Sequence, residues 1–290
     1  MTDLSVPQVS EAVQPLAQVA AGGKWRLELP HDVPWHRFVW ITRGTGSVMI
    51  GGRVRAMSGS VAMFVPAETL HAIQLPTGTF GTIISLPSDS TFSLPEGPRF
   101  IRVTDVKMQQ VVNNLWDNLT QEVSETAPRS DVACAAHAAL LGVWMDRNRM
   151  TQDLRKTTAA ERLMQKFCAD LVARFPTGET SGHYADRLRV TATHLSRVCN
   201  AAVGLPASTL IQYRIQHEAR RLLIDTDEPI KLIAESLGFS SPAYFTRSFQ
   251  QHAQMPPRQF REMRGLPAPA SPTNPAKPGP RLTVRFGRNA

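Results

Sequence analysis

Two hydrophobic rhythms divide the chain. Between residues 25 and 86, short apolar runs alternate with turn residues at close intervals, the pattern of many short β-strands. The runs fall at 25–29, 37–42, 47–50, 53–57, 61–65, 71–75 and 79–86, and a last strand is expected at 100–103. Gly51 and Gly52 supply the positive φ of a two-residue hairpin turn, which sets Ile50 opposite Arg53 and Met49 opposite Val54. Many short antiparallel strands predict a small barrel or jelly roll. Further on the period lengthens. Met108, Val111, Val112, Leu115 and Leu119 trace one helical stripe, and Val132, Ala136, Ala139, Leu140, Val143 and Trp144 trace a second beyond Pro128. Such a pair of helices closes the end of a barrel, forms a dimer interface, or does both.

A polar linker at 151–160 precedes a wholly helical half. Leu163, Phe167, Leu171 and Phe175 recur every four residues until Pro176 and Gly178 stop the helix. Tyr184, Ala185 and Leu188 belong to the next, Arg189 and Val190 make a turn, and Thr191 caps a third helix that carries Leu195, Val198 and Cys199. Residues 208–225 read as a rod of roughly 27 Å with Ile211, Ile215, Ala219, Leu222 and Leu223 on one face. Then Ile230, Ile233, Ala234 and Leu237 end at Gly238, a residue suited to a left-handed helix stop. Ser240 or Ser241 caps a further helix with Pro242 in its first turn and Phe245 and Phe249 on one face.

The two turns repeat each other. Ala185 and Leu188 recur 49 residues later as Ala234 and Leu237, while Leu195 and Arg197 recur 50 residues later as Phe245 and Arg247, so the second turn is one residue longer. Each copy is a helix-turn-helix, whose second helix enters a major groove. Two copies on one rod suit successive grooves about 34 Å apart.

Charge agrees with that division. Residues 1–159 carry 14 basic and 14 acidic side chains, residues 160–265 carry 14 and 10, and residues 266–290 add four cations without an acid. A basic C-terminal half suits a polyanionic partner such as double-stranded DNA. No segment has the apolar length of a membrane span and no signal peptide is evident, while Cys134, Cys168 and Cys199 lack the pairing of a disulfide framework or zinc site. A cytoplasmic protein is expected. The domains are placed at 1–23 (flexible N-terminus), 24–150 (sensor and dimerisation), 151–160 (linker), 161–265 (DNA binding) and 266–290, a disordered basic tail with six prolines in its first fifteen residues.

Within the β-rich half, residues 59–72 resemble half of a cupin motif, with Gly59, Pro66 and His71 in matching places. His36 stands alone before Gly44 and Gly46, and two histidines without a third ligand do not make a catalytic metal site. No metal or cofactor is expected. His36, Trp40 and His71 are the candidate contacts for a small organic effector.

Residues 163–264 resemble the AraC/XylS family of bacterial transcription regulators. The likeness rests on A-D-R-L followed by T-H-L-S-R in the first unit, then on I-A-E-S-L-G-F-S-S-P-A-Y-F-T-R-S-F and P-P-R-Q-F-R in the second. It implies an α+β multidomain protein: a cupin-like N-terminal β-barrel with a helical hairpin, and an all-α C-terminal domain with two helix-turn-helix motifs. It further implies a homodimer, a small-molecule effector, contact with RNA polymerase, and activation of transcription. By position, Ala192, Thr193, His194 and Arg197 face the groove from the first recognition helix, and Pro242, Ala243, Tyr244 and Arg247 from the second. Ser196, Thr246 and Ser248 are candidate phosphate donors. Arg189 departs from the glycine common at the first turn, a cost of roughly 1 kcal/mol where φ is positive. The alternative expectation is a metal-dependent cupin enzyme fused to a DNA-binding module.

Overall fold

The computed structural model describes residues 12–76, 78–88, 94–125, 127–149 and 156–264. The expected tail at 266–290, the first eleven residues and positions 151–155 of the expected linker lie outside the described residues.

The described chain begins with β1 (Val13–Pro15), α1 (Leu16–Ala21) and α2 (Trp25–Glu28). Seven strands follow: β2 (Trp35–Arg43), β3 (Thr45–Ile50), β4 (Arg53–Ser58), β5 (Ser60–Val65), β6 (His71–Gln74), β7 (Phe80–Pro87) and β8 (Arg99–Val103). They form two antiparallel sheets, one ordered β1-β7-β2-β5-β8 and the other β4-β3-β6. The hairpin register is the expected one, with Ile50 against Arg53 and Met49 against Val54.

Two stretches differ from expectation. Residues 12–21, assigned by sequence to a flexible N-terminus, form β1 and α1, because Leu16 is buried between the sheets and β1 pairs with β7. Residues 25–28, expected as a strand, form α2. Leu27 faces the barrel core while Trp25 turns toward the helical half, a division that a helical turn provides and a strand, which puts positions two apart on one face, does not.

Each sheet buries both faces, so strands alternate between two apolar environments. Val39, Ile41, Val61, Met63 and Ile83 of the larger sheet meet Val48, Ile50, Met57 and Ile73 of the smaller, filling the space between them. The outer face of the larger sheet, with Phe38, Trp40, Phe64, Ile84 and Leu86, is covered by α3 (Val106–Ser124) and α4 (Ser130–Arg147). Asp105 caps α3 by accepting a hydrogen bond from the Met108 backbone N–H at 2.8 Å. In α4 the buried residues are Ala138, Leu141, Gly142, Trp144 and Met145, whereas Val132, Leu140 and Val143 of the expected stripe point to solvent. This helix is apolar around most of its girth, so periodicity alone could not choose the inward face.

The helical half comprises α5 (Ala159–Arg174), α6 (Ser181–Arg187), α7 (Ala192–Val203), α8 (Ala207–Asp225), α9 (Ile230–Ser236), α10 (Pro242–Ala253) and α11 (Pro257–Glu262). A capping box between Thr158 and Glu161 starts α5. The connecting helix α8 has 19 residues and spans about 28 Å. This half packs on the outer face of the smaller sheet, where Met49, Leu70 and Ala72 join a single apolar cluster with Met164, Phe167, Leu210 and Phe245. Gly52, at φ +81°, lets the β3–β4 turn press on α5; a Cβ there would lie 2.4 Å from Met164 Cγ. The result is four layers: helix pair, large sheet, small sheet, helical domain. Among the described residues no helix is long and apolar enough to cross a membrane.

Candidate nucleic-acid interface

The two helix-turn-helix units are built by the same backbone bonds. In the first, the N–H groups of Arg189 and Val190 donate to Asp186 O and Ala185 O; in the second, those of Gly238 and Phe239 donate to Glu235 O and Ala234 O, each at 3.0 Å. Arg189 adopts φ +55° and Gly238 φ +75°, so the first turn does require the left-handed conformation from an arginine. Thr191 then accepts from the His194 N–H at 3.1 Å, and Ser241 from the Tyr244 N–H at 3.2 Å. These are the N-caps of α7 and α10, and Ser241, not Ser240, performs the second.

Capping fixes where each recognition helix begins, and burial fixes its rotation. Leu195, Val198, Cys199 and Val203 face inward on α7, and Phe245 and Phe249 on α10. Ala192, Thr193 and Arg197 are consequently exposed on the first turns of α7, with His194 half-buried beside them. Arg197 Nη2 lies 3.0 Å from His194 Nδ1, which restrains the guanidinium along the helix. Pro242, Ala243, Tyr244 and Arg247 are exposed on α10, and Tyr244 is 56% accessible despite its ring resting against Phe239. Each set of four thus lies together on the outer side of its helix. Ser248 is engaged elsewhere, accepting from Gln212 Nε2 at 3.2 Å.

The connecting rod contributes more than length. Arg214 is buried, pairs with Asp32 at 2.7 Å and Glu218 at 3.1 Å, and lies over the Phe175 ring. Arg220 donates to His252 O at 3.2 Å, and burial pulls its guanidinium down to about 10. His217 stacks on His31 of the barrel at 4.3 Å between ring centroids, and His31 lies 4.2 Å from His71. Arg37 Nη1 is 3.1 Å from Nε2 of both His31 and His71. Since guanidinium only donates, both Nε2 atoms accept, and both Nδ1–H groups donate, to Leu29 O at 2.9 Å and Thr69 O at 2.8 Å. Burial first, and the neighbouring cations second, hold His71 down to about 3; His31 and His217 are also lowered well below the usual range. Sequence reading took α8 as apolar on one face and missed this junction, whose signal was the run of Arg214, His217, Glu218 and Arg221 between the apolar positions of that helix.

The candidate effector residues do not converge. His36 accepts from the Ala67 N–H at 3.1 Å, and Trp40 donates to Asn113 Oδ1 at 3.1 Å beneath the helix pair. His71 is at the opposite sheet, in the junction just described. The donor set also does not fit a metal: both histidines are engaged and, among the described residues, no group of three or more His, Cys, Asp or Glu is placed to hold an ion.

Two capped recognition helices with exposed arginines on a shared rod define a helix-turn-helix DNA-binding protein. Residues 184–263 match the family described as a helix-turn-helix domain. The chain is 24% identical over 255 residues to an uncharacterized HTH-type transcriptional regulator, YfiF, of Bacillus subtilis (strain 168), covering 81% of this chain and 79% of that protein. It is 23% identical over 247 residues to the HTH-type transcriptional activator RhaS of Enterobacter sp. (strain 638), covering 81% and 87%. Among solved structures, apo ToxT K231A from Vibrio cholerae aligns with 81% of this chain and 92% of its own, at 14% identity and a TM-score of 0.42. The chain thus carries a helix-turn-helix domain over residues 184–263 and is similar, along 81% of its length, to HTH-type transcriptional regulators.

Proposed function

We propose that α7 and α10 enter successive major grooves of one operator, with Ala192, Thr193, His194 and Arg197 and then Pro242, Ala243, Tyr244 and Arg247 toward the DNA. The observation that carries this is the twice-built turn, which leaves an arginine exposed at the same place on each capped helix. Arg247 would make a bidentate contact to guanine or grip a phosphate, and the small residues beside it would admit thymine methyls. The protein acts in the cytoplasm as a transcriptional activator, contacts RNA polymerase and answers to a small-molecule effector held by its N-terminal domain, residues 24–150. The activator name of RhaS supports the sign. It works as a homodimer, for which the exposed apolar row of Val132, Leu140 and Val143 on α4 offers a self-complementary face.

A gel-shift titration on promoter-proximal DNA at several salt concentrations tests the reading. Binding should weaken steeply with salt as phosphate counterions are released, and Arg247→Ala should cost about 1–3 kcal/mol and relax preference at one base pair. Salt-insensitive binding, or none, would overturn it; an Arg247→Ala protein with unchanged site preference would remove the base contact.

A further inference from the structure

A cavity of 290 Å³ opens where the smaller sheet, the end of the helix pair and α5 meet. Its lining includes four arginines, Arg53, Arg55, Arg99 and Arg149, with Thr69 and Gln165 as neutral hydrogen-bonding groups. Such a concentration of guanidinium in a concave site is costly unless something negative offsets it. Three carboxylates do so in part. Glu68 shares the lining, Asp146 holds Arg99 Nε at 2.6 Å, and Glu161 lies 3.8 Å from Arg53 Nη2.

Arg53 is only partly satisfied. Its bond to Thr157 Oγ1 is long, at 3.4 Å, and its Nε is shut away from solvent without an acceptor. Arg55 lies over the Phe100 ring, 5.3 Å from guanidinium carbon to centroid, which holds it in a fixed plane. Among the described residues Arg149 has no carboxylate partner. Arginine is suited to this place because its rigid fork grips a carboxylate or phosphate through paired bonds, which lysine cannot do.

We propose that this cleft binds a small organic anion carrying one or more oxyanion groups, carboxylate or phosphate, and that the anion fastens the N-terminal domain to α5 of the DNA-binding half. The proposal rests on the effector-responsive reading above and gives that effector a chemical class. Size sets the upper limit. The volume equals about ten waters at about 30 Å³ each, at the lower end of ligand cavities, so the ligand has on the order of ten to fifteen non-hydrogen atoms. A di- or tricarboxylate or a small phosphate ester meets that limit. Coupling to DNA follows from position. Arg53 and Arg55 sit on β4, which packs against the recognition helix α7, while Gln165 sits on α5. An anion bridging the two surfaces favours the docked arrangement of α7 over any in which the cleft has opened.

The full chain is titrated with citrate, glycerol 3-phosphate and inorganic phosphate, against glycerol and sodium chloride at matched ionic strength, by calorimetry and thermal shift. At least one oxyanion should bind saturably beyond chloride, and Arg53→Gln and Arg149→Gln should each weaken it by about tenfold or more. Citrate without phosphate ester, or the reverse, assigns the oxyanion. The proposal is overturned if no oxyanion saturates, if binding survives both cleft substitutions, or if Arg247→Gln abolishes it, which would put the anion on the DNA-binding face. Arg149 is exposed, so its variant stays interpretable even where Arg53→Gln does not fold. A neutral metabolite that changes DNA affinity while oxyanions bind nowhere would refute this site and leave the effector reading standing. An anion that binds here without altering DNA affinity would do the opposite.

Discussion

Acidification from about pH 7.5 to about 5.5 should destabilise this protein through the three histidines at the junction of barrel and rod. His31, His71 and His217 are only 2%, 1% and 6% exposed, and the Nε2 atoms of the first two already accept from Arg37. Protonation would set N–H against guanidinium in a buried space, so the native state keeps these rings neutral. Their native values lie below the unfolded value of about 6.5. The unfolded chain therefore binds the additional protons. Stability from this source is complete above about pH 6.5 and is lost as the pH falls toward the native value, about 3 for His71. At pH 5.5 a group that titrates only when unfolded costs about 1.4 kcal/mol, and three set a ceiling of about 4 kcal/mol. That is a large part of a typical 5–15 kcal/mol total. The charged neighbours do not reverse the sign. Glu218 is lowered, because Arg214 and Arg221 outweigh its burial, so it stays ionised across this range. The assay is urea unfolding followed by tryptophan emission, to which Trp25 contributes from its place 5.3 Å from the His217 ring. His217→Gln should remove about a third of the pH dependence. Equal unfolding midpoints at the two pH values would refute the reasoning, as would a His217→Gln protein with the full slope.

Three further outcomes are expected. Arg189→Gly should stabilise the first unit by about 1 kcal/mol in chemical denaturation, since the exposed arginine occupies φ +55°; a loss of stability would show that its side chain is needed. Gly52→Val should cost about 2–3 kcal/mol, combining a clash with Met164 and a left-handed backbone, whereas Gly51→Asn, with open space around it, should cost far less; equal losses would refute the docking of this turn on α5. In the native protein a thiol reagent should reach the half-buried Cys134 well before Cys168 or Cys199, whose thiols burial pushes up, the latter to about 12; simultaneous modification of all three would contradict the packing.

Local chemistry was legible wherever neighbours in sequence decide the outcome. Gly51 and Gly52 set the hairpin register, Thr191 and a serine at the second turn set the starts of the recognition helices, and the 49-residue offset between Ala185 and Ala234 exposed the repeat. The positive φ at Arg189 was legible only through the family resemblance, which puts a glycine at that turn. The outward positions of Arg197 and Arg247 were implied by the family resemblance, and they agree with the helical period that turns Leu195 and Phe245 inward. Period failed on α4, because an all-round apolar helix carries no directional signal and the sheet, not the helix, selected Leu141 over Leu140.

Only the tertiary structure could decide what the remote parts of the chain do to each other. His31, His71 and His217 come from three separate segments, and nothing near any of them in sequence announces the other two. The four arginines of the cleft are likewise gathered from β4, β8 and the end of the helix pair, and they become a site only because the helical half is seated on the smaller sheet. Turn geometry, capping and side-chain period are short-range preferences written into a few adjacent residues. Burial, ring stacking and the convergence of charge depend on which surfaces meet, and the apolar faces that bring them together can dock in many ways until the whole chain has been packed.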